Sequence, residues 1–188
     1  MTYKELEEKL TSNYNFTSKE LIDIVKEYTG IEFSEDHPMY NFYNAPASTR
    51  FHGAYKTGLV KHSLAVYLSA IKLASAFGLN EDDIDACACI FHDLVKSNLY
   101  EFTTDFRGAS KIEYNKNEIM LPHGSESLAR MKQYNIPLKS RAWELAVAYH
   151  MGAFEHDSIE MYSRACDVHR EVLLLHTADM MATKIFKY

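Results

Sequence analysis

The sequence contains few of the residues that mark secreted, fibrous or disordered proteins. Its 188 residues include 3 Cys, 4 Pro and 7 Gly, which excludes a disulfide framework, a collagen-like repeat and a low-complexity chain. An odd number of cysteines without an apolar leader favours reduced thiols. Because 47% of the residues are hydrophobic and 13% are aromatic, the chain can bury a sizeable core and is expected to fold as one unit.

The sequence also lacks an excess of positive charge and any long uncharged apolar run. Lys and Arg number 20 against 26 Asp and Glu, and the formal net charge is −6, which disfavours the binding of long nucleic acids by a basic surface. No stretch reaches the roughly 18 uncharged apolar residues of a membrane span, and residues 1–8 are acidic rather than leader-like. These absences predict a cytoplasmic protein with no membrane partner.

Apolar residues recur with a helical period along most of the chain. Two capping boxes, in which a threonine precedes a glutamate by three residues, predict two short helices near the start, the second over residues 18–29. Further helices are predicted over residues 58–77, 81–96, 124–134, 139–151 and from 164 to the end of the chain. Between residues 98 and 122, alternating polar and aromatic residues around Arg107 and Gly108 predict a long excursion or a β-hairpin. The fold class is therefore all-α.

The strongest chemical signal is the stretch FHDLVK, residues 91–96, which places His92 beside Asp93 within an apolar helical pattern. A nitrogen ligand then adjoins an oxygen ligand, and an unpaired buried carboxylate there would be costly. Adjacent residues diverge by about 100° on a helix, so both reach one metal ion only if the ion lies at the flank between them. Taken alone, the pair also fits a simple hydrogen-bonded or partly exposed contact.

The context of the pair favours a metal site. Other potential ligands lie in or beside apolar helical segments, namely His62, His123, His150 and Asp179. An imidazole against a core needs a partner, and a divalent metal bound by several such groups satisfies many of them at once. The sequence therefore predicts a metal-binding pocket between helices.

These residues, in this order, resemble the HD superfamily of metal-dependent phosphohydrolases, which is named for its His-Asp doublet. The family pattern of a His, then His-Asp, then usually two further His and a final Asp is met by His62, His92, Asp93, His123, His150 and Asp179. The stretch HGAYKTGLVKH, from His52 to His62, is similar to the lead-in of the HD domain in bacterial 3′-5′ exoribonucleases. The resemblance covers about residues 50–183.

The resemblance implies an HD-domain helical bundle over residues 50–188, with residues 1–49 as N-terminal helices and a connector packed on the same domain. It implies a first metal ion on His62, His92, Asp93 and Asp179, and a second on His123 and His150, with Asp93 bridging the two. Mn or Fe is favoured, and Mg, Ni, Co or Zn is possible, because mixed nitrogen and oxygen ligands do not select among them. Asp93 and Lys96 are the expected catalytic residues, with Lys96 on the substrate phosphate.

The reaction implied is hydrolysis of a phosphate ester in a nucleotide, a short oligonucleotide or another phosphorylated small molecule by a metal-activated water. The sequence has no separate nucleic-acid-binding domain and no Gly-Tyr-Pro motif, so free nucleotides are favoured over long RNA and the cyclic-dinucleotide branch is not supported. Two alternatives stay open, a di-iron oxygenase on the same six ligands and a non-catalytic nucleotide-binding module. The oligomeric state is left open.

Acidic residues are absent from one long segment of the sequence. From His37 to Asn80 there is no Asp or Glu. Substrate binding is predicted for Lys96 and for four residues of this acid-free segment, namely Arg50, His52, Tyr55 and Lys56. The alternative for the segment's aromatic residues is simple packing of the connector on the core.

Other conspicuous side chains are given structural roles. Cys87 and Cys89 lie two apart, so they point to different sides of a helix and are expected in the core. His176, one turn before Asp179, fits either a contact near the site or a core histidine. His156 is expected at the surface.

Overall fold

The computed structural model describes residues 1–12, 14–154 and 159–187. These residues form a helical bundle with one two-stranded antiparallel sheet, which confirms the predicted fold class. The predicted surface position of His156 lies outside the described residues. Within the described part of the chain, no helix combines the length and apolar character needed to cross a bilayer.

Most of the predicted helices are present. The α-helices are α1 (Tyr3–Thr11), α2 (Ser18–Thr29), α3 (Gly58–Leu73), α4 (Ala86–Phe91), α5 (Lys96–Leu99), α6 (His123–Gln133), α7 (Arg141–Tyr149), α8 (Ile159–Val168) and α9 (Arg170–Met181). The strands are β1 (Tyr100–Thr104) and β2 (Ser110–Tyr114). Single turns of 3-10 helix occur at Tyr40–Tyr43, Ala74–Phe77, Glu81–Asp83 and Gly152–Phe154, and a π turn follows α9 at Ala182–Phe186.

Local signals set the bounds of the second helix as predicted. The Thr17 hydroxyl accepts a hydrogen bond from the Glu20 amide at 3.2 Å, and the Glu20 carboxylate accepts one from the Thr17 amide at 2.9 Å. The two groups thereby satisfy backbone donors that the first helical turn leaves open. Gly30 ends α2 with φ 73°, a left-handed conformation that glycine adopts at little cost.

Helix α3 lies at the centre of the bundle, and nearly all its residues from Gly58 to Ile71 are buried. It packs on α1, α4 and α9, while α7 packs on α6 and α9. A helix that is apolar on all sides is stable only when other elements cover it. One hydrophobic cluster extends from Leu6 in α1 to Ala182 after α9. The division of the chain into residues 1–49 and 50–188 stays a prediction.

The excursion contains the predicted β-hairpin. Strands β1 and β2 pair antiparallel, with Phe102 opposite Ile112. In the turn, the Asp105 carboxylate accepts hydrogen bonds from the amides of Arg107 at 2.8 Å and Ala109 at 2.9 Å. Asp105 therefore stabilises the turn, because its carboxylate accepts hydrogen bonds from backbone amides two and four residues further along the chain.

The single helix predicted over residues 81–96 is wrong, because the chain breaks on both sides of α4. Asp85 is extended, and its carboxylate accepts a hydrogen bond from the Ala88 amide at 3.0 Å, which begins α4 anew. After Phe91 the hydrogen bonds tighten to a three-residue spacing, with the Lys96 amide 2.9 Å from the Asp93 carbonyl oxygen. The His-Asp doublet therefore lies in a turn between α4 and α5.

The single long helix predicted from residue 164 is also wrong, because His169 separates α8 from α9 with extended backbone angles, φ −129° and ψ 105°. The Arg170 guanidinium donates to the carbonyl oxygens of Phe77 at 3.2 Å and Gly78 at 3.0 Å. This contact ties the start of α9 to the segment after α3. A tertiary contact of this kind leaves no trace in local periodicity.

Gly124 lies where α6 approaches α7 closely, so a substitution there tests this packing. A Cβ atom there would lie 2.6 Å from the Val147 carbonyl oxygen and still closer to that of Ala148. We expect Gly124→Ala to lower the free energy of unfolding by about 1–3 kcal/mol, because the rigid backbone of α7 cannot give way. Thermal unfolding measures the change.

The control is Ala129→Ser on the exposed side of the same helix, which is expected to change the stability by no more than about 0.5 kcal/mol. Equal stability of the Gly124→Ala variant and the wild-type chain would contradict the packing described.

Candidate metal centre

Asp93 lies at the centre of a buried cluster of histidines. Its side chain is 1% exposed. Its Oδ2 atom lies 3.6 Å from Nε2 of His62 and 3.4 Å from Nε2 of His92. Its Oδ1 atom lies 2.5 Å from Nε2 of His123 and 3.3 Å from Nε2 of His150. The two carboxylate oxygens thus face two different pairs of imidazoles.

The sixth predicted ligand completes one side of the cluster. Asp179 places Oδ1 at 3.1 Å from Nε2 of His62, which already faces Asp93. The structure therefore brings together all six residues that the sequence motif predicted.

Several elements supply these side chains. His62 comes from α3, Asp179 from α9, and the doublet His92-Asp93 from the turn after α4; His123 is the first residue of α6, and His150 directly follows α7. Since the doublet is not in a regular helix, the divergence of adjacent helical side chains does not apply to it. Both residues can face the same centre.

Backbone hydrogen bonds orient two of the imidazole rings. Nδ1 of His92 donates to the Cys89 carbonyl oxygen at 2.8 Å, and Nδ1 of His150 donates to that of Val147 at 2.7 Å. Nδ1 therefore carries a proton in both rings, and in the neutral form of each ring the lone pair of Nε2 points into the cluster. Both Nε2 atoms are buried and have no hydrogen-bond partner.

An unpaired buried polar atom costs about 1–3 kcal/mol, and here two of them point at one place. A cation that accepts both lone pairs removes this penalty, so the residues present fit a metal ion.

The carboxylates of the cluster are charged. Burial raises the pKa of Asp93, but the neighbouring Lys96, His92 and His123 outweigh it and hold the pKa well below its ordinary value. Burial likewise raises the pKa of Asp179, but the hydrogen bond from His62 more than offsets this effect. The pKa of Asp179 is therefore also below its ordinary value. Two anionic carboxylates among imidazole nitrogens form a donor set that suits a divalent ion.

Burial lowers the pKa of His123, although the negative charge of Asp93 acts in the opposite direction. A neutral ring is the form that binds metals, because a protonated imidazole has no free lone pair.

Within each of three sets of residues, the potential ligand atoms lie within 4.8 Å of one another. The sets are His62, His92 and Asp93; His92, His150 and Asp179; and Asp93, His123 and His150. The sets overlap at Asp93, His92 and His150. Each combines imidazole nitrogen with carboxylate oxygen, a mixture that first-row transition metals accept.

The HD domain family matches residues 59–183, which is more than half of the chain. The chain belongs to the HD domain family. Members of this family are generally metal-dependent phosphohydrolases. Searches of the curated proteins and of the solved structures gave no match. The domain assignment thus agrees with the motif, whereas the likeness to the exoribonucleases gains no support from the comparisons.

A cavity of about 170 Å³ lies over the candidate metal ligands of this HD domain. Its lining includes the candidate ligands His150 and Asp179, and the side chains His52, Lys96, Met151, Phe154, His176, Met180, Thr183 and Lys184. The Lys96 ammonium group lies 2.6 Å from Oδ2 of Asp93. An anion bound at the cluster would therefore lie close to the positive charge of Lys96.

His52 lies at the edge of the centre. Its ring centroid is 5.1 Å from that of His62, and its side chain lines the cavity. Burial is the main reason that its pKa is lowered to about 4. The ring is therefore neutral near pH 7 and can donate or accept a hydrogen bond.

The structure does not bring the remaining predicted substrate residues to the cluster. Arg50 is exposed and places its guanidinium 5.0 Å from the centroid of the Phe51 ring. Tyr55 and Lys56 line a separate cavity of about 330 Å³ between the lead-in segment and the hairpin, where Lys111 also lies. Of the predicted substrate-binding residues, only His52 and Lys96 line the cavity over the candidate metal ligands.

The aromatic residues of the acid-free segment divide into two groups. Phe42 and Tyr43 are buried in the core, as the packing alternative required. Phe51 and Tyr55 are 72% and 41% exposed, so they are accessible to a ligand. Cys87 and Cys89 are buried free thiols in the core, as predicted.

Several lining residues were not predicted from the sequence. His176, for which the sequence allows two roles, donates Nδ1–H to the His150 carbonyl oxygen at 2.7 Å and lines the cavity. Gly152, with φ 57°, leaves room for this ring, since a Cβ there would lie 2.8 Å from its Cε1 atom. Thr183 and Lys184 follow Asp179 by four and five residues, and this spacing is the only signal for them in the sequence.

Metal binding by this HD domain should stabilise the fold. We expect a divalent ion at 100 times its dissociation constant to raise the free energy of unfolding by about 2.7 kcal/mol. Asp93→Ala should fold but lose this stabilisation, because the central carboxylate is gone. Thermal unfolding with and without added Mn²⁺ measures both effects.

Asp23→Asn on the exposed side of α2 is the matched control and should respond to Mn²⁺ like the wild-type chain. Undiminished stabilisation of Asp93→Ala by Mn²⁺ would show that the cluster is not the metal site.

Proposed function

We propose that this HD domain hydrolyses a phosphate ester of a nucleotide or another small phosphorylated molecule, with two divalent ions held around Asp93. The observation that supports the proposal is the division of the Asp93 carboxylate between two pairs of imidazoles. Oδ2 faces His62 and His92, and Oδ1 faces His123 and His150. A bridging carboxylate needs ligands on both sides, and these residues supply them.

In this proposal, one ion would be held by His62, His92, Asp179 and Oδ2 of Asp93. The second would be held by His123, His150 and Oδ1 of Asp93. Mn and Fe are favoured, and Mg, Ni, Co and Zn are possible, since the donor atoms suit several divalent ions. When bound, such ions lower the pKa of a coordinated water towards neutrality and neutralise phosphoryl oxygens.

The other residues bind and orient the substrate. Lys96 lies 2.6 Å from Asp93 and lines the cavity, so its ammonium group can donate to a phosphoryl oxygen. His52, neutral and half-buried at the same cavity, can hydrogen-bond to the ester. Arg50, Tyr55 and Lys56 are proposed to contact outer parts of the substrate.

The lysine favours hydrolysis over the di-iron oxygenase alternative. A cation at the entrance to the metal ligands suits an anionic phosphate, whereas activation of oxygen on a C–H substrate has no need of it. The complete set of six ligands likewise favours catalysis over a non-catalytic nucleotide-binding module, which needs no such set. The cavity of about 170 Å³ favours a small ligand over long nucleic acid.

The three free thiols suit the reducing cytoplasm, where we place the protein.

Elemental analysis of the purified protein, followed by a panel of nucleotides with added Mn²⁺, tests the proposal. We expect release of inorganic phosphate or a nucleotide product at equal rates with and without oxygen. Turnover that requires both iron and oxygen, with no phosphate-ester cleavage, would instead establish the oxygenase.

The two ions should be separable by substitution. We expect about two ions per wild-type chain, about one in His123→Ala and none in Asp93→Ala, because only Asp93 serves both sites. Elemental analysis after dialysis counts them. Two ions retained in the Asp93→Ala variant would contradict the bridging role.

Lys96→Ala should reduce kcat/KM by about tenfold to a hundredfold while the metal content stays unchanged, since one charge-assisted contact to the phosphate is lost. Steady-state kinetics and elemental analysis are measured on the same preparation. The control is Lys19→Ala on the exposed face of α2, which removes the same charge far from the centre. Loss of metal from the Lys96→Ala variant would assign Lys96 a structural role instead.

A further inference from the structure

The cavity over the candidate metal ligands borders a larger outer cavity. The inner cavity, about 170 Å³, and the outer one, about 490 Å³, share three lining residues, His52, Thr183 and Lys184. The outer cavity adds Phe51 and Lys187. The outer volume lies within the range of about 300–1,000 Å³ that is typical of small-molecule sites, and the inner volume lies below it. A ligand with a phosphate at the candidate metal ligands therefore has space to extend into the outer cavity.

The charged residues that line the two cavities are nearly all cations. They are Lys96, Lys184 and Lys187, and the one carboxylate among the described lining residues is the candidate metal ligand Asp179. No carboxylate in the described ranges lies within ion-pair distance of Lys184 or Lys187. The formal net charge of the chain is −6, so this concentration of positive charge is local. Lys184 and Lys187, which lack such a carboxylate among the described residues, therefore suit further negative charge on the ligand.

The π turn at Ala182–Phe186 places Lys184 at this cavity. In a regular α-helix, a residue five positions after Asp179 would point about 140° away from it. The wider turn reduces the rotation per residue and brings Lys184 towards the side of Asp179. The Lys187 amide closes the turn by donating to the Ala182 carbonyl oxygen, and Lys187 adopts φ 62° there. A non-glycine residue in this left-handed conformation is uncommon and marks a constrained turn.

We propose that Lys184 and Lys187 form a binding site for a second phosphate of the substrate. The substrate class is then a phosphate ester that carries a further phosphate group, as a nucleoside diphosphate or a bisphosphate does. The inference rests on the proposed function, because it places the scissile phosphate at Asp93. Phe51, which borders the outer cavity and is 72% exposed, is accessible for stacking on the organic part of such a ligand.

Calorimetric binding of two phosphonates to the full, Mn²⁺-loaded chain tests this site without turnover. Propylphosphonate and propane-1,3-diphosphonate share a carbon chain and differ in the second phosphonate, and their C–P bonds are not hydrolysed. We expect the wild-type chain to bind the diphosphonate about tenfold more tightly than the monophosphonate, the gain typical of charge-assisted contacts. In the double variant Lys184→Gln, Lys187→Gln this ratio should fall to about two or less.

The same variant should bind propylphosphonate as the wild-type chain does, because the metal ligands and Lys96 are intact. Lys19→Gln, which removes an equal charge from exposed α2, should keep the tenfold ratio. An unchanged ratio in the double variant, or an equal loss of affinity for both phosphonates, would overturn the second site. Failure of the proposed hydrolysis shows separately, as the absence of phosphate release from any ester, and leaves these binding ratios measurable.

Discussion

The fold is organised around one buried carboxylate that cannot remain uncompensated. Taking an ionised group out of water costs several kcal/mol even after the protein relaxes. Asp93, at 1% exposure, has four imidazoles within 3.6 Å and an ammonium group at 2.6 Å. Those groups come from α3, α5, α6, the end of α7 and the turn after α4. The helices must therefore meet at this point for the charge to be tolerated, and a divalent cation is the group that best satisfies the remaining lone pairs.

Four of the six candidate ligands lie at the ends of helices rather than in their interiors. The doublet follows α4, His123 begins α6, and His150 follows α7. At such positions the direction of a side chain is not restricted to one face of a helix, so several side chains can point at a common centre. The arrangement requires α6 and α7 to approach closely, and Gly124 permits this because even a methyl group there would meet the backbone of α7. Short helices and a glycine at their contact are thus part of the site.

The ordered histidines and aspartates of the sequence predicted the six residues that meet around Asp93, and periodicity predicted most helices and the hairpin. The breaks at Asp85, at the doublet and at His169 were not predicted, because apolar spacing continues across a single non-helical residue. Lys184 was missed for a related reason. Its position depends on a π turn, and regular helical spacing would place it on another side. Sequence patterns thus predict which residues form elements, whereas tertiary contacts decide where those elements end.

The charge of the molecule and the charge of its site have opposite signs, and this contrast determines what the site can bind. A chain of net charge −6 repels anions at long range. Lys96, Lys184 and Lys187 line the two cavities together with the carboxylate of Asp179, and Asp93 lies 2.6 Å from Lys96. A divalent ion at the cluster would neutralise these carboxylates. Screening over about 8 Å at physiological salt keeps the distant acidic surface from cancelling this local field. In the proposed function, the candidate metal ligands and the lysines therefore act together, since the anion is attracted only when the carboxylates are already compensated by the cation.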